Sequence, residues 1–139
     1  MMLLTPEFHA ALCANAAAHQ GALQHGFAEP DPFPVVKFFN PVGAATWLAT
    51  ELHADGDTLF GLADLGFGCP ELGTFSLSEL AGVRLSFGLG IERDVGFATA
   101  HRLSTWAAWS RRAGSILLAE TLLRRASRAT NDELPFVDG

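Results

Sequence analysis

Five carboxylates stand out along the middle of the chain: Glu51, Asp64, Glu71, Glu92 and Asp94. A metal-dependent nuclease or hydrolase needs several carboxylates converging on one ion, which makes Asp64, Glu71, Glu92 and Asp94 the candidate catalytic set. Glu51 and Asp64 are not expected to share an ion, because the strand pairing set out below holds them about four residue rows apart, on the order of 13 Å. Asp64, Glu71 and one of Glu92 or Asp94 could still meet through the Gly-rich loop that joins them. The plainer reading, solvated carboxylates, turn caps and arginine partners, is the one favoured. Arg93 projects opposite its two acidic neighbours and shares a face with Ile91, Val95 and Phe97, so a structural ion pair with Asp64 or Glu71 is expected.

Other chemistry finds no constellation. His9, His19, His25, His53 and His101 form no HxxxH or HExxH spacing, and Cys13 and Cys69 form no CxxC, so neither a metal centre nor a cofactor is expected. Both cysteines read as free, partly buried thiols of a reducing compartment. Gly66-Phe67-Gly68 and Gly88-Leu89-Gly90 are isolated GxG fragments, better read as turns than as phosphate loops. No Walker A and no GxSxG occurs. Trp47, Glu51, Arg93, Arg111 and Arg112 are the candidate binding residues. Arg124, Arg125 and Arg128 extend the basic set, with a solvated helix face as their ordinary reading. Trp106 and Trp109 stand at helical spacing among alanines and are expected in the core or at a contact between subunits, the latter giving a homo-oligomer.

These residues must be positioned by a small number of elements. Thr5-Pro6-Glu7 is a helix start, with a hydroxyl cap, proline in the first turn and an acid near the N-terminal dipole, and an Ala-rich helix is expected to about Ala22. Glu29-Pro30-Asp31-Pro32-Phe33-Pro34 is an extended connector. Pro34–Asn40, Ala44–His53 and Thr58–Leu65 read as strands, the last two joined at Asp55-Gly56. Centring that hairpin on Asp55-Gly56 pairs Leu52 with Leu59, Glu51 with Phe60, Leu48 with Ala63, and Trp47 with Asp64. One face then carries Leu48, Leu52, Leu59 and Leu65; the other carries Trp47, Ala49, Phe60 and Leu62, interrupted by Glu51 and Asp64. Apolar residues on both faces call for a layer on each side.

Phe67–Gly73 reads as loop, Ser76-Leu77-Ser78-Glu79 as a capping box opening a helix to Arg84, and Ile91–Thr99 as a fourth strand. Ser104 is expected to cap a last helical region, broken near Gly114-Ser115, with Glu120 and Arg124 paired on its outer face. The tail from Asn131 reads as irregular. The expected fold is α+β: a small antiparallel sheet of about four strands with a central hairpin, packed by N- and C-terminal helices. One domain spans 1–139, with a core at 34–99 and helical extensions at 5–22 and 104–128.

Composition supports a packed domain, with 49% hydrophobic and 17% charged residues. The net charge of −6 weighs against a nonspecific nucleic-acid binder. It is unevenly spread: Glu51–Asp94 holds eight acids against Arg84 and Arg93, whereas His101–Arg128 holds six arginines against Glu120. No apolar run approaches membrane-spanning length, and the start lacks a basic leader, so a cytoplasmic protein is expected.

The segments PVVKFFNPVGAATWLATEL, LFGLADLGFGCPELGTFSLSEL and GLGIERDVGFAT, in that order, resemble domain-of-unknown-function family 2958, found on bacterial plasmids and integrative elements. The resemblance runs from Pro34 to Thr99 and includes Trp47, Glu51, Asp64, Glu71, Leu72, Glu92, Arg93 and Asp94. It implies a cytoplasmic accessory protein of mobile genetic elements and supplies no catalytic residue. The leading expectation is therefore a non-enzymatic protein acting through contact with another protein, to antagonise host defence or support DNA maintenance. The alternatives are a metal-dependent enzyme on nucleic acid or nucleotide, and DNA binding through the arginine-rich C-terminal helix.

Overall fold

In the computed structural model, residues 2–137 are described, with side chains to residue 129. Thr5 and Pro6 open helix α1 (Pro6–His25), the Thr5 hydroxyl accepting from the Phe8 amide at 3.2 Å. The helix runs through Gly21 and stops at Gly26, whose φ of +69° suits glycine; the Phe27 amide then closes on the Ala22 carbonyl. An extended connector leads to β1 (Val36–Phe39), β2 (Thr46–Leu52), β3 (Thr58–Asp64) and β4 (Glu71–Ser76). Ser76 caps α2 (Leu77–Gly82) by accepting from the Glu79 amide, as the capping-box sequence predicts. After a short 3-10 turn come β5 (Glu92–Arg93), α3 (Leu103–Ala113) and α4 (Ile116–Val137).

The fold is α+β, with one five-stranded antiparallel sheet in the order β4-β3-β2-β1-β5. Two strands differ from expectation. Glu71–Ser76 is a full edge strand inside a segment that reads as Gly/Pro-rich loop, because Gly73 sits opposite Gly61 without breaking the ladder. Ile91–Thr99 alternates like a strand, but pairing stops after Arg93, where Asp94 turns the chain by accepting from the Gly96 amide. The last helix continues to Val137 rather than ending before Asn131; no glycine or proline interrupts it before Pro135.

The hairpin register begins as expected, with Leu52 opposite Leu59 and Glu51 opposite Phe60. Beyond Glu51 it slips by one: Ala49 faces Gly61, Leu48 faces Leu62, Trp47 faces Ala63 and Thr46 faces Asp64. The cause is a β-bulge at Thr50, an extra residue that no alternation in sequence announces. Its carbonyl accepts from Asn15 Nδ2 of α1 at 2.9 Å, and its hydroxyl donates to the Phe60 carbonyl at 3.2 Å. The bulge sorts the faces anew. Trp47, Ala49, Leu52 and Leu59 join Val36 and Phe38 under α1, with Leu3, Leu4 and Leu12. Leu48 and Leu62 lie under α3 and α4, with Leu103, Trp106, Ile116 and Leu123. Each fully buried leucine contributes about 2 kcal/mol, several times an exposed helix pair such as Glu120–Arg124. The two apolar layers therefore dominate stability.

Helix α3 is not capped by Ser104. Asp31 of the connector accepts from the Ser104 amide and hydroxyl, and the Leu103 amide donates to the Pro32 carbonyl. The tight hairpin end is held by Asp55, which accepts from the Asp57 and Thr58 amides and the Thr58 hydroxyl; these bonds lower its carboxyl to about 2.

Opposite the bulge, a Cβ on Gly61 would lie 1.8 Å from the Leu48 carbonyl oxygen. Gly61→Ala must push the central strands apart and is expected to cost about 3 kcal/mol. Urea unfolding measures this, and a loss below about 0.5 kcal/mol, the range of ordinary surface substitutions, would mean the strands do not approach that closely.

Candidate functional site

The segments carrying most of the chemistry meet at one end of the sheet, where β1 and β3 finish and β2 and β4 begin. Asn40 shapes the first loop: its side-chain oxygen accepts from the Val42 amide at 2.9 Å, and its own amide donates to the Ala45 carbonyl. Asp64 shapes the second. Only 1% exposed, it accepts from the Gly66 amide at 2.8 Å and from the Ile116 amide, the first residue of α4, at 3.0 Å. A carboxylate facing the start of a long helix complements the helix dipole as well as the orphan amide. The third loop is the α3–α4 junction, where Gly114 takes φ +78° and the Ser115 hydroxyl accepts from the Leu118 amide. These loops touch: Cβ positions built on Gly66 and Gly114 fall 3.6 Å from Ala44 Cβ and 3.8 Å from the Gly68 carbonyl oxygen.

Large apolar side chains stand in solvent on the first two loops, Val42 at 51%, Leu65 at 59% and Phe67 at 82% exposure, and on the first turn of α4, Leu117 at 40%. Phe67 sits between Gly66 and Gly68, both at positive φ, so the loop backbone follows a course that holds the ring outward. Beside them opens a cleft of about 380 Å³, lined by Lys37, Phe39, Thr46, Glu92, Asp94 and Leu117, with Val95 exposed at its edge. Lys37 is 6% exposed, and its Nζ donates to Glu120 Oε1 at 2.9 Å and lies 3.4 Å from Asp94 Oδ2. A buried ammonium persists only when paired in this way.

The structure does not gather the four carboxylates proposed as a catalytic set, although Glu92 and Asp94 line the same cleft. Asp64 is committed to two backbone amides on β3, Asp94 to Lys37, and Glu71 and Glu92 lie on the strands at opposite edges of the sheet. Among the described residues, no group of three His, Cys, Asp or Glu side chains is placed to hold a metal ion. Arg93 meets neither Asp64 nor Glu71: it donates to the Met2 and Leu3 carbonyls and lies 5.4 Å from the Phe8 ring centroid. Trp47 is a core residue under α1. Trp106 is 3% exposed and donates to the Thr99 hydroxyl, so it is core rather than a subunit contact, while Trp109 is half-buried beside it. Arg111 and Arg112 are exposed at the end of α3, and Arg124, Arg125 and Arg128 along α4. Cys69 is exposed, not partly buried, because loop 65–70 carries it outward.

Glu51 does bind, but to α1. Both of its oxygens lie 3.1–3.2 Å from His19 Nδ1, while His19 Nε2 faces Glu29 of the connector at 3.5 Å. A second cleft of about 680 Å³, lined by Cys13, Ala16, His19, Leu23, Glu51 and His53, opens beside them. Sequence reasoning missed Lys37, His19, Glu120 and the apolar loop residues as members of sites. A lysine inside VVKFF was the available signal for the first, and a phenylalanine flanked by glycines for the last. The partner of His19 lies 32 residues away and left no trace in spacing.

The family described as "Protein of unknown function (DUF2958)" matches residues 3–117. The match reaches α1 and α3 on either side of the segments that carry the resemblance. No curated protein and no solved structure matches the chain.

Two outcomes follow. Asp64→Ala leaves two amides without their acceptor and should cost about 3 kcal/mol in urea unfolding, since bonds to charged groups are worth about 1.5–3 kcal/mol; a neutral result would show that loop and helix are held otherwise. The hydrogen bond with Glu51, outweighing the opposing effect of burial, raises His19 above its ordinary value of 6.5, with Glu29 adding to the shift. A raised folded value means this stabilisation is complete below pH 6.5 and fades as pH rises through the folded value. Unfolding followed against pH should show that loss in the wild type and a flatter profile in Glu51→Gln.

Proposed function

We propose that this chain, which belongs to the DUF2958 family, acts through contact with another protein, and that the loop end of its sheet is the contact surface. The observation that carries the reading is the set Val42, Leu65 and Phe67, exposed on adjoining loops fixed by Asn40 and Asp64, with Leu117 exposed on the first turn of α4. Contiguous exposed apolar side chains on a rigid base mark interaction surfaces, and aromatic anchors dominate their energetics. The two longest segments that carry the family resemblance contribute the Val42 and Phe67 loops, and the third contributes Glu92, Asp94 and Val95 to the cleft. That resemblance supports an accessory role on plasmids and integrative elements, within the cytoplasm, antagonising host defence or supporting DNA maintenance. Among the described residues no helix is long and apolar enough to cross a membrane.

The carboxylate-enzyme reading needs three of Asp64, Glu71, Glu92 and Asp94 together, and among the described residues no such group of three is placed to hold a metal ion. DNA binding by the exposed arginines remains distinct in its signature, a steep fall of affinity with salt.

Affinity capture from a bacterial host lysate, at physiological salt and with the tagged full chain, is the test. A stoichiometric protein partner is expected with the wild type and with Leu23→Asp, a substitution beside the other cleft. It should be lost with Phe67→Asp and with Val42→Asp. Failure to recover a partner, or recovery that ignores both loop substitutions, overturns the reading.

A further inference from the structure

We infer that the cleft beside the loop end receives one cationic side chain, an arginine or a lysine, from the protein that docks there, an inference that rests on reading that end as a contact surface. The strand register builds the floor of the cleft. Phe39 of β1 stands opposite Thr46 of β2 and opposite Glu92 of β5, so Glu92, Phe39 and Thr46 form one row across the sheet. Residues opposite one another project from the same face, and alternation along β1 puts Lys37 on that face as well. Helices α3 and α4 cover Leu48 and Leu62 of this face, and Leu117 in the first turn of α4 forms a wall of the cleft. Val95 stands exposed at its edge. Asn40 and Gly43, which flank the Val42 turn, line it too, so the cleft adjoins the apolar loops.

The charge around this floor is unbalanced. Arg93, next to Glu92 in the strand, faces the other way, over the Phe8 ring and onto the Met2 and Leu3 carbonyls. The Lys37 ammonium is shared: it donates to Glu120 at 2.9 Å and lies 3.4 Å from Asp94. Asp94 is therefore compensated only in part, and Glu92 enters no ion pair among the described residues. Arg124 lies 3.8 Å from Glu120 but is not part of the cleft lining. An anion entering here meets repulsion, and a neutral apolar group strips water from the carboxylates without replacing it. A cation meets their need. Its charge faces Glu92 and Asp94 and the Phe39 ring, where a cation–π contact adds to the ion pair. Its aliphatic stem lies along Val95 and Leu117, as the stems of lysine and arginine do on apolar surface. At about 380 Å³ the cleft is near the small end of ligand pockets, about 300–1,000 Å³, which suits one long side chain.

Amide NMR titration of the full chain with butylguanidinium, and with butylurea as its uncharged counterpart, tests the cleft, with circular dichroism to show that each variant is folded. Saturable shifts of the Glu92, Asp94, Val95 and Leu117 amides are expected with butylguanidinium alone. Glu92→Gln should weaken binding about tenfold, the scale of one lost hydrogen bond to a charged group. Glu79→Gln, an exposed acid on α2 beside the hairpin, should leave it unchanged. No saturable shift, an equal response to butylurea, or affinity that ignores Glu92→Gln overturns the inference. The capture experiment tests the source of the cation. The partner recovered by the wild type should be lost with Glu92→Arg, kept with Glu79→Arg and displaced by butylguanidinium. A Phe67-dependent partner that Glu92→Arg still recovers overturns the inference and leaves the contact surface standing. If the wild type captures nothing, the contact reading falls; butylguanidinium shifts then assign the cleft to a free organic cation and overturn docking of a partner's side chain.

Discussion

The Asp64 carboxylate is the constraint on which the rest of the loop end depends. It is almost fully buried at the last residue of β3, and both its oxygens are spent on backbone amides, one starting the Gly66 turn and one starting α4. A buried carboxylate without such donors would be strongly unfavourable, and a helix start without an acceptor nearly so. Each group therefore meets the other's need, and in doing so fixes the β3–β4 loop against the α3–α4 junction. The apolar side chains those loops display are held by this polar contact, because they bury too little of themselves to hold their own positions.

A similar economy governs the other buried charges. Lys37 lies inside the sheet layer and is accommodated because α4 brings Glu120 and the β5 edge brings Asp94. Glu51 is accommodated because α1 brings His19. Each pair joins an element of one layer to an element of another, so the charges specify how helices dock rather than adding much net stability. The apolar layers supply the stability, and the ion pairs choose the arrangement.

Much of the fold was legible in the residues: the Thr5-Pro6 start, the Ser76 cap, the break at Gly114, and the hairpin near Asp55-Gly56 all follow local chemistry. What was not legible was non-local. The Thr50 bulge depends on Asn15 of α1 to satisfy its carbonyl, and no alternation within β2 reports that partner. Strand β4 hides behind Pro70 and Gly73 because it takes its order from β3. Of the candidate site residues, Asp64 is the one that ties two loops together, through its bonds to the Gly66 and Ile116 amides. Arg93, Trp47 and Glu51 meet the N-terminal segments rather than each other. The exposed apolar loop residues were visible only as an oddity, a phenylalanine between glycines, until the loops were seen together.

The claim that one buried carboxylate organises this surface is most directly tested by residue-resolved amide hydrogen exchange in the wild type and in Asp64→Asn. If Asp64 couples the loops, Gly66 and Ile116 and the segments around them lose protection together in the variant, while the amides of α1 and β2 keep theirs. Protection unchanged at both positions, or lost at one without the other, would contradict the account.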